Sequence, residues 1–411
     1  MGNTAISSGK GSKHWVSGTE YWKDDSPTTQ YLKKEAIAKA SPEALAFLGE
    51  LATNHPGPII EVKTKEDGRV DLSPEGQQAR RKTHLGGSDL ASVFGVSRFT
   101  SRLELFYMKT GKKPRLVDND PMRDVILAYG HACEDVCAQA WAIRYPEWDI
   151  RADETIYNHP RYPFLSANLD RIIRGEDGCW MVGEIKCPVV REAESMWWKD
   201  NEALLDYQKQ AVPEEYELQV RLYMAILGIW QARFAVMLSP TKILYRVVYR
   251  DLDKEAAILK ECIDFWENHV LKGVPPEANG DEKDGVLALD AAKRYAPTPQ
   301  RNRTIKLPAS LEDTAIEILE LQAQSTELTK QENALKNKLS ALKAKVAIEM
   351  RDSVEGYIDC PNGLTIQVMY KPQKGRQSVD FDKLKEDYPD AYASCVTTPE
   401  EGPRPVKVKY L

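Results

Sequence analysis

A chain of 411 residues, 42% of them hydrophobic and 29% charged, is long enough for two or three domains and has the composition of a globular protein. Its formal net charge of −6 excludes a protein that coats nucleic acid with a uniformly basic surface. No run of about 18 apolar residues marks a membrane span. The seven cysteines are scattered and residues 1–13 are polar, so clustered-cysteine metal sites and a secretory signal are not expected. These features predict a cytoplasmic protein.

The first part of the chain is polar, and we interpret residues 1–75 as an N-terminal extension. Within it, Ser41 is placed to cap a short helix from Pro42 to Thr53, because serine is a preferred cap and proline is favoured at the first helical position. The sequence assigns no function to this extension.

The next segment is basic. Between Gly76 and Arg115 there are nine lysines and arginines against two acidic residues, which suits a phosphate backbone but is also typical of a solvated surface. Gly86 and Gly87 lead into a predicted helix start at Ser88. Ser88 is either an ordinary N-cap or part of an anion site, because a helix N-terminus presents free N–H groups and a positive dipole end.

Two predicted helices follow the basic segment. The first runs from Leu103 to Lys109, and the second, from Val125 to Tyr145, has an apolar stripe at helical spacing. Glu134 lies at the edge of this stripe. It is either a paired carboxylate of the ordinary kind or an additional acid for the site that the following strands predict.

Two predicted strands carry the main chemical signal. Residues 164–170 end in Asp170, and fourteen residues later residues 180–186 end in Glu184 and Lys186. Because side chains alternate along a strand, Glu184 and Lys186 point to the same face. An acid followed by Glu-x-Lys is the pattern of metal-dependent phosphodiester cleavage.

The residue types in this pattern suit that chemistry. Mg²⁺ takes oxygen ligands, acidifies a water and neutralises charge on a phosphate, and a neighbouring lysine orients the water and stabilises developing negative charge. The alternative is a solvent-facing pair between Glu184 and Lys186, worth at most about 1 kcal/mol. The short pattern by itself favours the solvent-facing pair, but the surrounding sequence favours the metal site.

A further helix is predicted from Glu214 to Leu227, and its apolar face includes Gln219. A polar group among core residues needs a hydrogen-bond partner, which a lysine at the site can provide. Residues 232–238 and 243–249 predict a hairpin, and residues 255–270 predict another helix.

The remaining chain is predicted to form separate regions. Polar, proline-punctuated residues 276–308 are interpreted as a linker between a domain at 76–275 and a C-terminal region at 309–411. The C-terminal region is expected to contain one long helix from Leu311 to Met350, followed by a small α+β part with a hairpin that turns at Asn-Gly and a final strand at 406–410.

Leucines recur every seven residues along the long helix. Ser325 and Glu332 interrupt the second seam of this repeat, so a helical hairpin partner or a moderate coiled coil is favoured over a strong zipper. The leucines of the repeat are Leu321, Leu328, Leu335 and Leu342.

Five motifs occur in the order found in a known family. They are Gly86-Gly87-Ser88-Asp89, Gly130 with Glu134, Ser166-Ala167-Asn168-Leu169-Asp170, Glu184-Ile185-Lys186-Cys187-Pro188, and Leu218-Gln219-Val220. From about Arg81 to Val270, the chain resembles the YqaJ-like viral recombinases, which are relatives of phage lambda exonuclease. The resemblance implies an α/β fold, the PD-(D/E)xK nuclease core of a mixed sheet flanked by helices.

The same resemblance implies an activity. The family uses Mg²⁺, for which Mn²⁺ is expected to substitute, to degrade the 5′ strand of linear duplex DNA and leave a 3′ single strand for an annealing protein. The implied partners are double-stranded DNA ends, a single-strand annealing protein and further copies of the chain in a trimeric or tetrameric ring. The implied location is the cytoplasm of a bacterium or a phage-infected host cell.

The resemblance also implies a role for each matching residue. Asp170, Glu184 and the Ile185 carbonyl would bind metal, Glu134 would bind a second metal, Lys186 would activate water, Gln219 would position Lys186 or the nucleophile, and Arg81 and Ser88 would hold a 5′-phosphate. Two departures are the long separation between Asp170 and Glu184 and a leucine, not a proline, before Asp170.

Two other functions remain open at this point. One is an endonuclease of the same fold, of the restriction or defence type. The other is a protein that binds DNA ends without cleaving them, against which the intact Asp170, Glu184, Lys186 and Gln219 count. A CRISPR-associated adaptation nuclease is not supported, because the cysteines do not form the cluster-binding set of that group.

Overall fold

The computed structural model describes residues 23–52, 59–60, 82–114, 121–153, 155–188, 193–198, 210–239, 241–277, 282–295, 304–372 and 379–396. They belong to two compact units, Met1–Thr298 and Pro299–Leu411. Within the described residues, no helix is long and apolar enough to cross a membrane. The predicted strand at 406–410 and the predicted site residue Arg81 lie outside the described residues.

The strands are β1 (Ile59–Ile60), β2 (Leu85–Gly86), β3 (Asp149–Ala152), β4 (Ile156–Asn158), β5 (Leu165–Asn168), β6 (Arg171–Arg174), β7 (Trp180–Lys186), β8 (Gln231–Ser239), β9 (Lys242–Tyr249), β10 (Glu355–Asp359) and β11 (Thr365–Met369). The α-helices are α1 (Pro27–Lys39), α2 (Pro42–Ala52), α3 (Leu90–Val93), α4 (Arg102–Lys109), α5 (Pro121–Arg144), α6 (Ala193–Met196), α7 (Glu214–Leu227), α8 (Leu252–Asp264), α9 (Glu282–Tyr295), α10 (Glu312–Met350), α11 (Phe381–Asp387) and α12 (Pro389–Cys395). A 3₁₀ turn, Gly87–Asp89, precedes α3, and a π-helical turn, Phe265–Val270, extends α8.

A five-stranded sheet with the order β3-β6-β7-β8-β9 forms the centre of the first unit. Strands β7 and β8 run parallel, with Glu184 opposite Phe234, and the other neighbours are antiparallel. A smaller sheet with the order β1-β4-β5-β2 is also mixed, because β2 and β5 pair in parallel. The predicted α/β fold class, a mixed sheet flanked by helices, is confirmed.

Different helices cover the two faces of the central sheet, because side chains alternate along each strand. Val182 and Phe234 belong to the apolar cluster that includes helix α7. Met181 and Ala235 belong to a second cluster with Trp141 of α5. All residues of α7 from its second turn onwards are buried, as expected of a helix that is apolar on most sides. The bounds of α7 agree with the sequence-based prediction.

The segment predicted to be a linker contains a packed helix, α9. The backbone N–H of Arg102 donates to the Asp284 carboxylate at 3.1 Å, and Arg294 pairs with Glu104 at 2.8 Å. The interpretation of residues 276–308 as a continuous linker therefore does not hold over α9. Prolines on both sides of this short polar helix gave it the composition of a linker.

The N-terminal extension is joined to the core by backbone and carboxylate groups. The Trp180 backbone N–H donates to Asp24 at 2.8 Å, and the Thr28 N–H donates to Asp177 at 3.0 Å. The predicted cap is confirmed, because the Ser41 hydroxyl accepts from the Ala44 N–H at 3.2 Å at the start of α2. Helix α1 was not predicted, since it has no clear apolar stripe.

The second unit contains the long helix α10, the β10–β11 hairpin and the two short helices α11 and α12. The predicted Asn-Gly turn is confirmed by Gly363, whose φ of 82° lies in the region that glycine adopts without strain. The predicted long helix is confirmed from Glu312 to Met350.

Substitution of Ser101 by alanine is expected to destabilise the first unit by about 1–2 kcal/mol. Ser101 is fully buried, and its hydroxyl accepts from the Glu104 N–H at 3.1 Å at the start of α4, so Ser101→Ala leaves a buried N–H without that acceptor. Urea unfolding followed by tryptophan fluorescence measures the change. The exposed Ser340→Ala in α10 is the control, and equal stability of the two variants would contradict this role of Ser101.

Candidate active site

A cleft of about 540 Å³ in the first unit brings most of the predicted site residues together. The predicted residues that line it are Ser88, Glu134, Asp170, Glu184, Ile185, Lys186 and Gln219. These residues come from separate elements between β2 and α7. The cleft is therefore a product of the tertiary fold and not of one local segment.

Strand β7 positions two of the reactive groups. Glu184 is 1% exposed, and Lys186, at the end of the strand, donates to its carboxylate at 2.7 Å. The Asp170 carboxylate accepts from the backbone N–H of Ile185 at 2.8 Å, which fixes it beside β7. The antiparallel β6–β7 pairing, which places Arg171 opposite Gly183, brings Asp170 next to the end of β7.

Gln219 of α7 joins the acid and the lysine. Its amide nitrogen donates to the Glu184 carboxylate at 2.6 Å and to the Tyr223 hydroxyl at 3.1 Å, and its carbonyl oxygen accepts from Lys186 at 3.2 Å. The amide thus uses both of its ends, as a buried polar group requires. The sequence predicted that a lysine at the site can serve as the hydrogen-bond partner of Gln219, and Lys186 does so.

The negative charge of the two acids in the cleft is only partly compensated by Lys186 and Gln219. Burial and the charge of Asp170 raise the pKa of Glu184 to about 8, although Lys186 and Gln219 lower it. Burial lowers the pKa of Lys186, but the charges of Glu184 and Asp170 outweigh burial and raise it to about 12. The raised pKa favours the charged form of Lys186, which can stabilise negative charge or orient a water.

Glu134 reaches the cleft from helix α5. Its carboxylate pairs with Arg171 at 2.7 Å, and the same guanidinium donates to the Asp170 carbonyl at 2.6 Å and to Asp135 at 2.8 Å. Burial and the charge of Asp170 raise the pKa of Glu134, and Arg171 opposes that rise. In this structure Glu134 is thus a paired carboxylate at the edge of the cleft.

The Gly86-Gly87-Ser88-Asp89 segment differs from the predicted helix start. A 3₁₀ turn stands at Gly87–Asp89, and Asp89, not Ser88, accepts from the Gly86 N–H, at 2.9 Å. The interpretation of Ser88 as an N-cap is therefore wrong. Its exposed side chain lines the cleft and stays available to a ligand.

The basic segment is less free than its composition suggests. Lys109 is buried and donates to Asp89 at 2.7 Å, Arg102 is buried and pairs with Glu261, and Arg98 pairs with Glu215 at 2.6 Å. These cations stabilise the fold around the cleft. Among the described cations of the segment, Lys82, Lys112 and Lys113 are exposed, and so is Arg98 despite its ion pair.

The donor chemistry of the cleft fits a hard divalent cation. Within the described residues, no three histidine, cysteine, aspartate or glutamate side chains form a ready-made metal cage. Mg²⁺, however, is usually bound through one or two carboxylates and keeps several waters. Asp170 and Glu184 provide those carboxylates, and one Glu184 oxygen is buried without a hydrogen-bond partner in the described part of the chain. Burial and then the neighbouring Asp170 raise the pKa of Glu184, and a bound cation would oppose that rise.

Sequence reasoning missed several residues that shape the cleft. Arg171 and Tyr223 contact predicted site residues directly, and His131 and Asn168 line the same cavity. His131 precedes Glu134 by one helical turn, so helical spacing was a signal that could have placed it on the cleft side. Arg171 gave no comparable signal, because its partners lie on a distant helix.

One region of the chain matches a known family model. Residues 77–229 match the model of the YqaJ-like viral recombinase domain. The match includes the strands and helices that form the cleft, from β2 to α7. In the matched region the acid, acid and lysine of the Asp…Glu-x-Lys pattern converge in one cleft, which is the arrangement that metal-dependent phosphodiester cleavage needs.

The chain is similar to a curated protein and to several solved structures. The uncharacterized protein YqaJ of Bacillus subtilis (strain 168) is 28% identical over 324 residues, which cover 78% of this chain and 90% of that protein. The alkaline exonuclease LHK-Exo from Laribacter hongkongensis has a TM-score of 0.36 and 19% identity, with 53% of this chain and 98% of that chain covered. A phage related exonuclease from Haemophilus somnus 129PT has a TM-score of 0.33 and 12% identity, with 47% and 99% covered.

Gly87 allows the 3₁₀ turn to lie against Gln219. A Cβ atom at Gly87 would lie 2.6 Å from the Tyr223 ring and 2.7 Å from the Gln219 side chain. We expect Gly87→Ala to displace Gln219, to destabilise the protein by about 1–3 kcal/mol and to reduce cleavage at least about tenfold.

The matched control is Gly130→Ala. Gly130 lines the same cleft, but a Cβ atom there would meet nothing within 4 Å. This variant should keep its activity within about twofold and gain up to about 1 kcal/mol, since alanine is favoured over glycine inside a helix. Thermal unfolding and nuclease assays on the two variants measure both effects, and an active, stable Gly87→Ala would disprove the close-approach argument.

Proposed function

We propose that this chain is a Mg²⁺-dependent 5′→3′ exonuclease that digests one strand of linear double-stranded DNA and leaves 3′ single strands for recombination. The supporting observation is the hydrogen-bonded set of Glu184, Lys186 and Gln219 beside Asp170, inside the region that matches the viral recombinase model. Cleavage of a phosphodiester needs metal ligands and a fixed cation at one point, and these groups meet there.

Asp170 and Glu184 would hold the metal, with the Ile185 carbonyl as a third oxygen. Bound Mg²⁺ supplies Lewis-acid chemistry, since it acidifies water and neutralises charge on the phosphate, and we expect Mn²⁺ to substitute. Glu134 would serve a second ion, for which it has to exchange its pairing with Arg171.

Lys186 and Gln219 would complete the reacting geometry. The charged Lys186 orients the attacking water and stabilises the negative charge that develops on the phosphate. Gln219 holds Lys186 and Glu184 in fixed positions, and Tyr223 restrains Gln219 in turn. This prior ordering lowers the barrier, because the groups need not reorganise during the reaction.

The proposed substrate is a DNA end. Ser88 presents an exposed hydroxyl in the cleft, and Arg81, seven residues earlier, would hold the 5′-phosphate with it. Further copies of the chain would form a trimeric or tetrameric ring around the duplex, and the 3′ single strand would pass to an annealing protein.

Substitution of the site residues tests the activity itself. Asp170→Asn, Glu184→Gln and Lys186→Met should each lower the cleavage rate at least about 100-fold, because each removes a charge that acts in the transition state. The assay uses an end-labelled linear duplex with and without Mg²⁺, and Asp264→Asn, outside the cleft, is the control.

Two further measurements, of binding to duplex ends and of cleavage of circular DNA, complete this test. The inactive variants should still bind duplex ends in a gel-shift assay, and the wild type should spare closed circular DNA. Near-normal cleavage by Lys186→Met would remove this residue from its role. Cleavage of circular DNA would favour an endonuclease, and end binding without any cleavage would favour a non-catalytic end-binding protein.

Recognition of the 5′-phosphate gives a separate prediction. The wild type should degrade a 5′-phosphorylated duplex about ten- to a hundredfold faster than a 5′-hydroxyl duplex, and Arg81→Ala and Ser88→Ala should each reduce this ratio, since charge-assisted hydrogen bonds to phosphate are strong. Lys82→Ala is the control for non-specific attraction, which fades with salt. Equal rates of the wild type on the 5′-phosphorylated and the 5′-hydroxyl duplex would contradict the hypothesis.

A further inference from the structure

The long helix α10 of the second unit has an apolar seam whose leucines are exposed in the described part of the chain, while Ile318 at its start is half-buried. Leu328 and Leu335 are 64% and 68% exposed, and Met350 is the one residue of α10 that is buried among the described residues. We define the leucine seam as Leu321, Leu328, Leu335 and Leu342 together with the residues that precede each by three positions, Ile318, Ser325, Glu332 and Leu339, and with Val346 at the next such position.

The seam is long enough to need a partner. From Ile318 to Val346 it spans about four heptads, which is the length over which a coiled-coil repeat becomes significant. Helices in proteins gain most of their stability from packing of an apolar face, and exposed leucines favour association.

We propose that the leucine seam pairs with the same seam of a second copy of this chain, in antiparallel orientation. In the register that we assign, Ile318 faces Leu342 of the second copy and Leu339 faces Leu321. Each of these layers occurs twice in the symmetric pair, and Ile318, Ser325, Glu332 and Leu339 each face a leucine of the other copy. This inference concerns the second unit and does not depend on the proposed nuclease function.

The polar residues of the seam decide the orientation. A parallel pair would place Glu332 against Glu332 of the second copy inside the interface, and Lys338 against Lys343 at its edge. Both contacts join like charges, and a buried like-charge pair is costly. In the antiparallel pair Glu332 faces Leu328, so its carboxylate can keep the pairing with Lys336 seen within the helix, at 2.6 Å.

The flanking charges select the register. In the assigned register Glu317 lies opposite Lys345 of the second copy, and the symmetry creates this opposite-charge contact twice. A shift by one heptad in one direction loses these contacts and places Ile318 opposite Glu349. A shift in the other direction keeps an opposite-charge contact, between Glu317 and Lys338, but retains fewer apolar layers. The seam is thus self-complementary in both apolar contacts and charge.

Cysteine trapping on the full-length chain tests the orientation. Chains carrying Leu321→Cys and chains carrying Leu339→Cys, mixed and exposed to air oxidation, should form a disulfide between positions 321 and 339, identified by mass spectrometry of the digested dimer. Two thiols lose two hydrogens and oxygen accepts them, so the bond reports proximity under mild conditions. Leu321→Cys alone should not crosslink to itself. Self-crosslinking at position 321 would establish a parallel pair, and no crosslink in any mixture would disprove self-pairing.

Charge reversal tests the register by sedimentation equilibrium. Glu317→Lys and Lys345→Glu should each weaken self-association about three- to tenfold, and the double variant should restore it, because the two charges exchange places across the pair. Glu320→Lys, on the outer side of the helix, is the control and should have no effect. Equal effects of Glu320→Lys and Glu317→Lys, or a double variant as weak as the single ones, would overturn the assigned register.

Discussion

The Glu184 carboxylate is almost fully buried, and the arrangement of the site follows from the cost of placing a carboxylate there. Burial of an unpaired charge is costly, so Lys186 and Gln219 both donate to the same carboxylate oxygen. Gly87 has no side chain where Gln219 and Tyr223 need the space. The second Glu184 oxygen has no hydrogen-bond partner in the described residues, which leaves it for a cation.

The central sheet allows the carboxylate to be buried and accessible to a ligand at once. Its two faces are covered by α5 and by α7, so the sheet is rigid, while the end of β7 opens into the cleft. Helix α7 is buried along most of its length, and this fixes Gln219 more firmly than a surface helix could. A site on packed elements keeps its geometry with little reorganisation.

Charge around the cleft has two separate tasks. Lys109 and Arg102 are buried in ion pairs that hold the segment before α5, and Arg171 joins α5 to the turn at Asp170. These cations stabilise the fold, because a buried charge left without its partner is destabilising by several kcal/mol, about 3–5 in measured cases. Under the proposed function, exposed lysines such as Lys82, Lys112 and Lys113 and the positions proposed to hold the 5′-phosphate would attract the DNA backbone.

The sequence determined what depends on near neighbours. Alternation and helical spacing located β7 with Glu184 and Lys186, helix α7 with Gln219, and the long leucine-spaced helix. The short motifs also indicated the resemblance to the YqaJ-like recombinases, because each motif is a run of neighbouring residues that the sequence shows directly.

The tertiary structure decided what depends on residues far apart in the chain. The pairing of Arg171 with Glu134 joins groups 37 positions apart, and helix α9 became visible only through its contacts with α4. The sequence offered Ser88 as a helix cap, but the structure places Ser88 inside a 3₁₀ turn and Asp89 at the position before α3. Such choices are made by packing between elements, and one-dimensional spacing carries no information about them.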